Sequence, residues 1–322
     1  MQQKESVEVH NKANLRRLFK AGRYHLTMGL RKVDEKNWLT IDDNYHQLKA
    51  ELLTGSKSKV LQCLPGSESA CLEVLEVVLD FLIEKWPNVF ERFGANNNFV
   101  RNNKTGEEFN LDEDLPLEVA ARLVAEDLNV LEESGEDYIL TASATCFPIG
   151  WSLEEKIGSP IDSLHKSVPG WKKEIGNSVK KYFKRMKPSN SMERSSFFVQ
   201  TSPTLFHPEP LPTSAATTLK VADLIIRHEK QTFRRLPKSR AILFTVRTFM
   251  HSLVDLGAED LENFAAAVRA WPDEMAFYKG RGFWGPVALG YCDETKESQK
   301  VNAGMSGGGA IGPCLALDLS DM

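Results

Sequence analysis

Long apolar runs are missing from this chain. No stretch approaches the ~20 consecutive apolar residues that a membrane-spanning helix needs, so no membrane span is expected. Cysteine is scarce: five residues in 322, at Cys63, Cys71, Cys146, Cys292 and Cys314, none in Cys-x-x-Cys spacing. A sparse, odd set argues against a disulfide framework or a zinc ribbon and for reduced thiols inside a cell. Charge of one sign is also lacking. The net charge is only −4, without the basic excess of a nucleic-acid binder. There is no His-Glu-x-x-His helix, and no internal repeat is visible. The polar start, Met1–Lys20, lacks the apolar core of a secretory signal, and a cytoplasmic location is expected.

What is present is an ordinary globular balance, 42% apolar and 26% charged residues, in a length that suits one large or two ordinary domains. Apolar spacing predicts a helix from Asp42 to Thr54 and another opened by Ser67 and closed by Pro87. Helical spacing also predicts Pro116–Leu131, Lys172–Met186, Val221–Gln231 and Glu259–Trp271. Tyr138–Phe147, Phe197–Gln200 and the run from Ala241 to Met250 read as strands. Asn96–Asn110 reads as a turn-rich connector, and Thr201–Thr218, rich in Pro and Thr, as a loop or lid. Asp293–Met322 reads as an unordered tail. Its glycines (Gly304, Gly307, Gly308, Gly309, Gly312) lack the Lys-Ser/Thr of a phosphate-binding loop.

The chain centres on residues 227–250. A dense polar run with Arg227, Glu229, Lys230, Arg234 and Arg235 feeds the buried strand 241–250, which also carries Arg247. Buried charge is costly unless it is paired or binds something. One reading is an ionic network that docks a helix onto a sheet. The other is a clamp for an anion or cofactor, since arginine forks suit carboxylates and phosphates. His165, before Val168-Pro169-Gly170, is a second candidate. A lone histidine is more often a satisfied structural group than a ligand, yet haem needs only one proximal histidine, and arginines could meet its propionates.

Several blocks, in order, resemble one family. Arg227-x-Glu229-Lys230-Gln231-Thr232-x-Arg234-Arg235-Leu236-Pro237, followed by Phe244-Thr245-Val246-Arg247-Thr248, is similar to a block of the haem-dependent oxidative N-demethylases. That family was long catalogued as a domain of unknown function and has many fungal members. Met28-Gly29-Leu30 with Trp38, Asp42, Asp43 and Tyr45 resembles its N-terminal signature. Leu123-Val124-Ala125-Glu126-Asp127-Leu128 resembles its Glu-Asp block. Cys146-Phe147-Pro148, Trp151, Lys156-Ile157-Gly158 and Leu164-His165-Lys166-Ser167-Val168-Pro169 resemble a further one.

The resemblance implies an α+β fold: a PAS-like antiparallel sheet core with additional surrounding helices over residues 19–291, a lead-in at 1–18 and a Gly-rich tail at 292–322. It implies a haem b-dependent oxidoreductase of monooxygenase type that demethylates a small amine with O2. Electrons would come from a separate flavin/iron–sulfur reductase. By the same resemblance His165 is the iron ligand and Glu229, Asp42 and Asp43 handle substrate or protons. Arg227, Arg234, Arg235 and Arg247 pair with propionates or with the protein. The sequence departs from the family at Lys230 (Arg), Ser167 (Pro), Ala125 (Gln) and Phe197 (Trp), which bears on substrate and activity. The alternatives are a non-catalytic haem-binding PAS-like sensor and a haem-free small-molecule binder.

Overall fold

The apolar run at 241–246 becomes the middle of a long strand, and its neighbours define the molecule. The computed structural model describes residues 18–19, 22–210 and 219–306; the expectations for the lead-in before Leu18, for the lid beyond Pro210 and for the chain after Ser306 lie outside them. The strands are β1 (Arg31–Lys32), β2 (Leu61–Cys63), β3 (Phe90–Phe93), β4 (Phe99–Asn102), β5 (Glu108–Asn110), β6 (Asp127–Ser134), β7 (Asp137–Ala144), β8 (Met192–Gln200), β9 (Ile225–Arg235) and β10 (Ile242–Ser252). Seven of them form one antiparallel sheet in the order β1-β8-β9-β10-β6-β7-β2, while β3-β4-β5 form a small second sheet. The long helices are α1 (Asp43–Gly55), α2 (Glu68–Lys85), α3 (Pro116–Leu123), α4 (Gly176–Arg185), α5 (Ala258–Arg269), α6 (Asp273–Tyr278) and α7 (Arg281–Ser306). The fold is α+β, a large antiparallel sheet with helices around it.

The two faces of the sheet are covered unequally. On one, Leu128, Val130, Ala142, Ala144 and Leu243 meet α2 and α3 in a large core. Further along that face Phe197, Val199 and Ile226 meet α5 and α7. The opposite face is closed only at one end, where Leu131, Tyr138, Leu140 and Ile242 pack on α4 and on the segment 153–175. Side chains alternate along a strand, so β10 reports both environments. Thr245, Arg247 and Phe249 are buried, whereas Phe244, Val246 and Met250 on the other face are half-exposed. Arg194, Ser196, Phe198 and Gln231 are half-exposed on that same face. Half-exposed side chains on the central strands of a seven-stranded sheet mark the floor of a cleft.

Four expectations need correction. The helix predicted over 116–131 ends at Leu123. From Asp127 the chain is strand β6, in register with β10 (Leu128 opposite Thr245). Alternation of Leu128 and Val130 toward one core outweighs the helical spacing. Val221–Gln231 is not a helix either: only Val221–Asp223 makes a short turn, and Ile225–Arg235 pairs with β8 on one side and β10 on the other. Two ladders satisfy the backbone of this charged segment, which no local pattern reveals. Asn96–Asn110 is not a bare connector but holds β4 and β5. Regular structure also continues past Tyr291, to Ser306 in α7. Cys292 packs in the core, and Asp293 and Lys296 pair with Arg269 and Glu262 of α5 at 2.7 and 2.6 Å.

Candidate functional site

His165 follows the one-turn helix Ile161–Leu164 on the sparsely covered side of the sheet. Its Nδ1 lies 2.9 Å from the Ile161 carbonyl. A carbonyl only accepts, so Nδ1 carries the proton and Nε2 keeps a free lone pair. Nε2 has no partner among the described residues. The turn at Gly170, with φ of +78°, brings Trp171 back against the imidazole: the rings stack at 3.9 Å and 10°. Trp171 donates to Asp162 at 2.9 Å, and Lys180 of α4 holds the other oxygen of Asp162 at 2.6 Å. The ring is thus fixed in position and tautomer. Burial, the larger effect, holds its pKa below the ordinary value despite the carbonyl contact, and the Arg194 charge adds to the lowering. A neutral, oriented imidazole with a free Nε2 is what a metal ligand requires.

Glu229 stands on β9 on the same face. Its Oε2 accepts from Gln231 at 3.0 Å, and its Oε1 lies 3.5 Å from Arg227 Nε. Three groups that the motifs do not single out gather around it. Arg194 on β8 is opposite Gln231, and its buried Nε lacks a partner. Burial lowers its pKa while Glu229 opposes the shift. Lys279, at the end of α6, donates to the Phe197 carbonyl at 2.6 Å and lies 3.9 Å over the Phe198 ring. Burial takes its pKa down to about 7, Glu229 raising it and Arg194 lowering it. Tyr278 is pushed up to about 12, by burial first and then by Glu229. The field of Arg194 reaches both His165 and Glu229, which links the imidazole electrostatically to the carboxylate and, through it, to Lys279. Alternation would have placed Arg194 on the Glu229 face once β8 and β9 were paired. Nothing in the sequence announces Lys279.

The remaining sequence candidates lie elsewhere. Arg227 is fully buried, and its fork donates to the carbonyls of Leu205, at 3.0 Å, and Phe147, so it ties two loops to the sheet. Arg247 points to the other face of β10, pairs with Asp42 at 3.0 Å and stacks 3.8 Å from the Tyr45 ring. Asp42 also caps α1 through the backbone N–H groups of Asn44 and Tyr45. Asp43 is exposed and pairs with Lys104 at 2.6 Å. Arg234 binds Glu35 and lies 4.0 Å from Trp38. Arg235 binds the carbonyls of Arg240 and Phe183 and, at 3.1 Å, the Tyr138 hydroxyl. The structure therefore brings His165 and Glu229 onto one face, and does not bring Asp42, Asp43, Arg234, Arg235 or Arg247 to them.

Among the described residues no three of His, Cys, Asp and Glu gather as a bare metal ion would need; a porphyrin iron needs only one protein ligand. A Gly-x-Gly-x-x-Gly spacing does occur, Gly280–Gly285, but it follows helix α6 rather than a strand, so it lacks the context of a dinucleotide site. No helix among the described residues is long and apolar enough to cross a membrane.

An antiparallel sheet packed with helices on one face, with an oriented imidazole on the other, defines an α+β protein. The family comparison narrows the class. Residues 29–289 match the model of the haem-dependent oxidative N-demethylase, alpha subunit-like family, and the chain belongs to that family. The family's description implies an oxidative, haem-dependent enzyme.

Proposed function

We propose that this chain is the haem b-binding component of a monooxygenase that oxidatively demethylates a small amine with O2, fed with electrons by a separate flavin/iron–sulfur reductase. The observation that carries the reading is the His165 imidazole, neutral, locked by Ile161 and Trp171, with Nε2 free.

The residues present fit the group. His165 Nε2 is the donor for the iron. Phe198, Phe244, Val246 and Met250 offer apolar surface to the macrocycle. Arg194 and Lys279 are the cations for its propionates, and the partnerless Nε of Arg194 supports that assignment. Bound haem supplies the activation of O2 that oxidises an N-methyl carbon. Glu229 binds the substrate: its carboxylate attracts an alkylammonium ion, and Gln231 and Arg227 hold that carboxylate in place. Lys279, with a pKa of about 7, can take up or release a proton beside Glu229 near neutrality.

Three of the four departures from the family pattern, Phe197, Lys230 and Ala125, stand away from this floor, which supports retained activity. Phe197 packs among Phe264 and Trp271 on the opposite face. Lys230 binds the Asn37 carbonyl on that face as well. Ala125 donates its backbone N–H to Thr40 at 3.1 Å. Ser167 is exposed.

The test is a visible spectrum of haem-supplied protein beside His165→Ala. A Soret band lost or displaced in the variant supports the assignment. An unchanged band moves the ligand elsewhere, and no band in the wild type overturns the reading. Reductant-dependent O2 uptake with formaldehyde release separates an enzyme from a haem-binding sensor. A colourless protein stabilised by a small ligand would be the haem-free binder.

A further inference from the structure

We propose that Cys63 and Cys71 are a peroxide-reactive thiol pair that closes into an intramolecular disulfide, a modification site independent of the cleft. Cys63 ends the edge strand β2 and is exposed, while Cys71 lies in the first part of α2 and is buried. Their sulfurs are 3.9 Å apart. The turn between them holds this approach. Leu64 donates to the Thr141 carbonyl at 2.8 Å and accepts from both the backbone and the hydroxyl of Ser67 at 3.1 and 2.7 Å. Gly66 takes a φ of +97°, and its N–H donates to Glu68 at 2.8 Å. A disulfide needs sulfurs about 2.05 Å apart, so closure requires the exposed Cys63 side chain to turn by roughly 2 Å toward a fixed partner.

The two thiols have different roles. Cys71 donates its S–H to the Cys63 sulfur, which favours the Cys63 thiolate and lowers its pKa, whereas Cys71 is raised by the same contact and by burial. An exposed, assisted thiolate is the nucleophile of such a pair. It attacks one oxygen of a hydroperoxide; the O–O bond breaks, water or an alcohol leaves, and Cys63 becomes a sulfenic acid. The Cys71 sulfur then attacks the Cys63 sulfur. The S–O bond breaks, the S–S bond forms, and hydroxide departs as water with the Cys71 proton. Two thiols lose two electrons and the peroxide gains them. Cys146 and Cys292 are internal controls: both are buried, their pKa values are pushed up to about 12 and about 11, chiefly by burial, and neither has a thiol neighbour among the described residues.

The experiment uses the full chain with Cys314→Ser, exposed to equimolar hydrogen peroxide, alkylated and digested with trypsin. Cys63 and Cys71 fall in one peptide, residues 60–85. The expected result is that this peptide loses two hydrogens and takes no alkylating agent, while Cys146 and Cys292 remain alkylatable after unfolding. In Cys71→Ser the sulfenic acid persists on Cys63 and is trapped by dimedone. In Cys63→Ser, Cys71 stays reduced. The proposal is overturned if the wild-type peptide keeps both thiols, or if Cys63 proceeds to sulfinic acid without bonding Cys71. Because the wild-type peptide decides, misfolding of a variant cannot rescue the idea.

Discussion

Arg227 and Glu229 lie two residues apart on β9, face the same way and bring Nε and Oε1 to 3.5 Å, yet they serve different ends. The arginine's fork is committed to the backbone carbonyls of Leu205 and Phe147. The carboxylate keeps capacity for more than Gln231. Replacing Arg227 with Met strips two carbonyls of their donor and leaves Glu229 without its nearest cation. Urea unfolding of the haem-free protein should show a loss of about 3 to 5 kcal/mol, the range for breaking a buried pair. A loss below about 1 kcal/mol would mean that the loops hold themselves.

Glu229→Gln keeps the shape and removes the charge. Its haem spectrum should match the wild type, while the amine KM rises roughly 10- to 100-fold, as for a lost charge-assisted contact. Steady-state kinetics over a range of amine concentrations reads this. An unchanged KM would remove Glu229 from substrate binding.

Asp42 is a test of position. It caps α1 and pairs with Arg247 on the face away from the cleft, so Asp42→Asn should lower stability by about 1 to 2 kcal/mol and leave the Soret maximum and the amine KM alone. Asp43→Asn, at an exposed pair, should change stability by less than about 0.5 kcal/mol. A kinetic defect in a stable Asp42→Asn protein would return this residue to the site.

Lys279 gives a pH dependence. Its pKa falls from 10.5 when unfolded to about 7 when folded. Between those values the unfolded chain binds more protons, so stability rises with pH across that window. Below about pH 7 the cost of a buried charge is present in full. Lys279→Met should therefore be more stable than the wild type at pH 6 by denaturant unfolding, and the gap should narrow toward pH 10. A gap independent of pH would place the ammonium in water.

His228 is buried on the helix-covered face between Phe249 and His251, with neither ring nitrogen bonded. Its pKa falls to about 3, burial leading and the charges of His251, Arg31 and Lys230 adding. The unfolded chain takes up the proton near pH 6.5, so stability falls as pH drops from there toward 3. His228→Phe removes the orphaned nitrogens. It should stabilise the fold by about 1 to 3 kcal/mol and flatten the acid slope of a melting-temperature series. Lower stability at neutral pH would mean that Phe does not fit the slot.

The amino-acid sequence by itself determined the elements whose pattern is local: α1 capped by Asp42, the long apolar stripe of α2, the strand at 242–252, and the family through ordered blocks around His165 and Glu229. Spacing misread 116–131 and 221–231, because strands β6 and β9 are held by ladders to strands that lie elsewhere in the sequence, which no local spacing reveals. Only the tertiary structure decided which face each charge occupies. Strand alternation sends Glu229 and Arg194 into the cleft and sends Lys230 and Arg247 to the far side, where Asn37 and Asp42 meet them. It also brought Lys279 from the C-terminal helices to Glu229. Neighbours in a charged run look equivalent in one dimension; pleating sends them to opposite faces of the sheet, where they meet different partners.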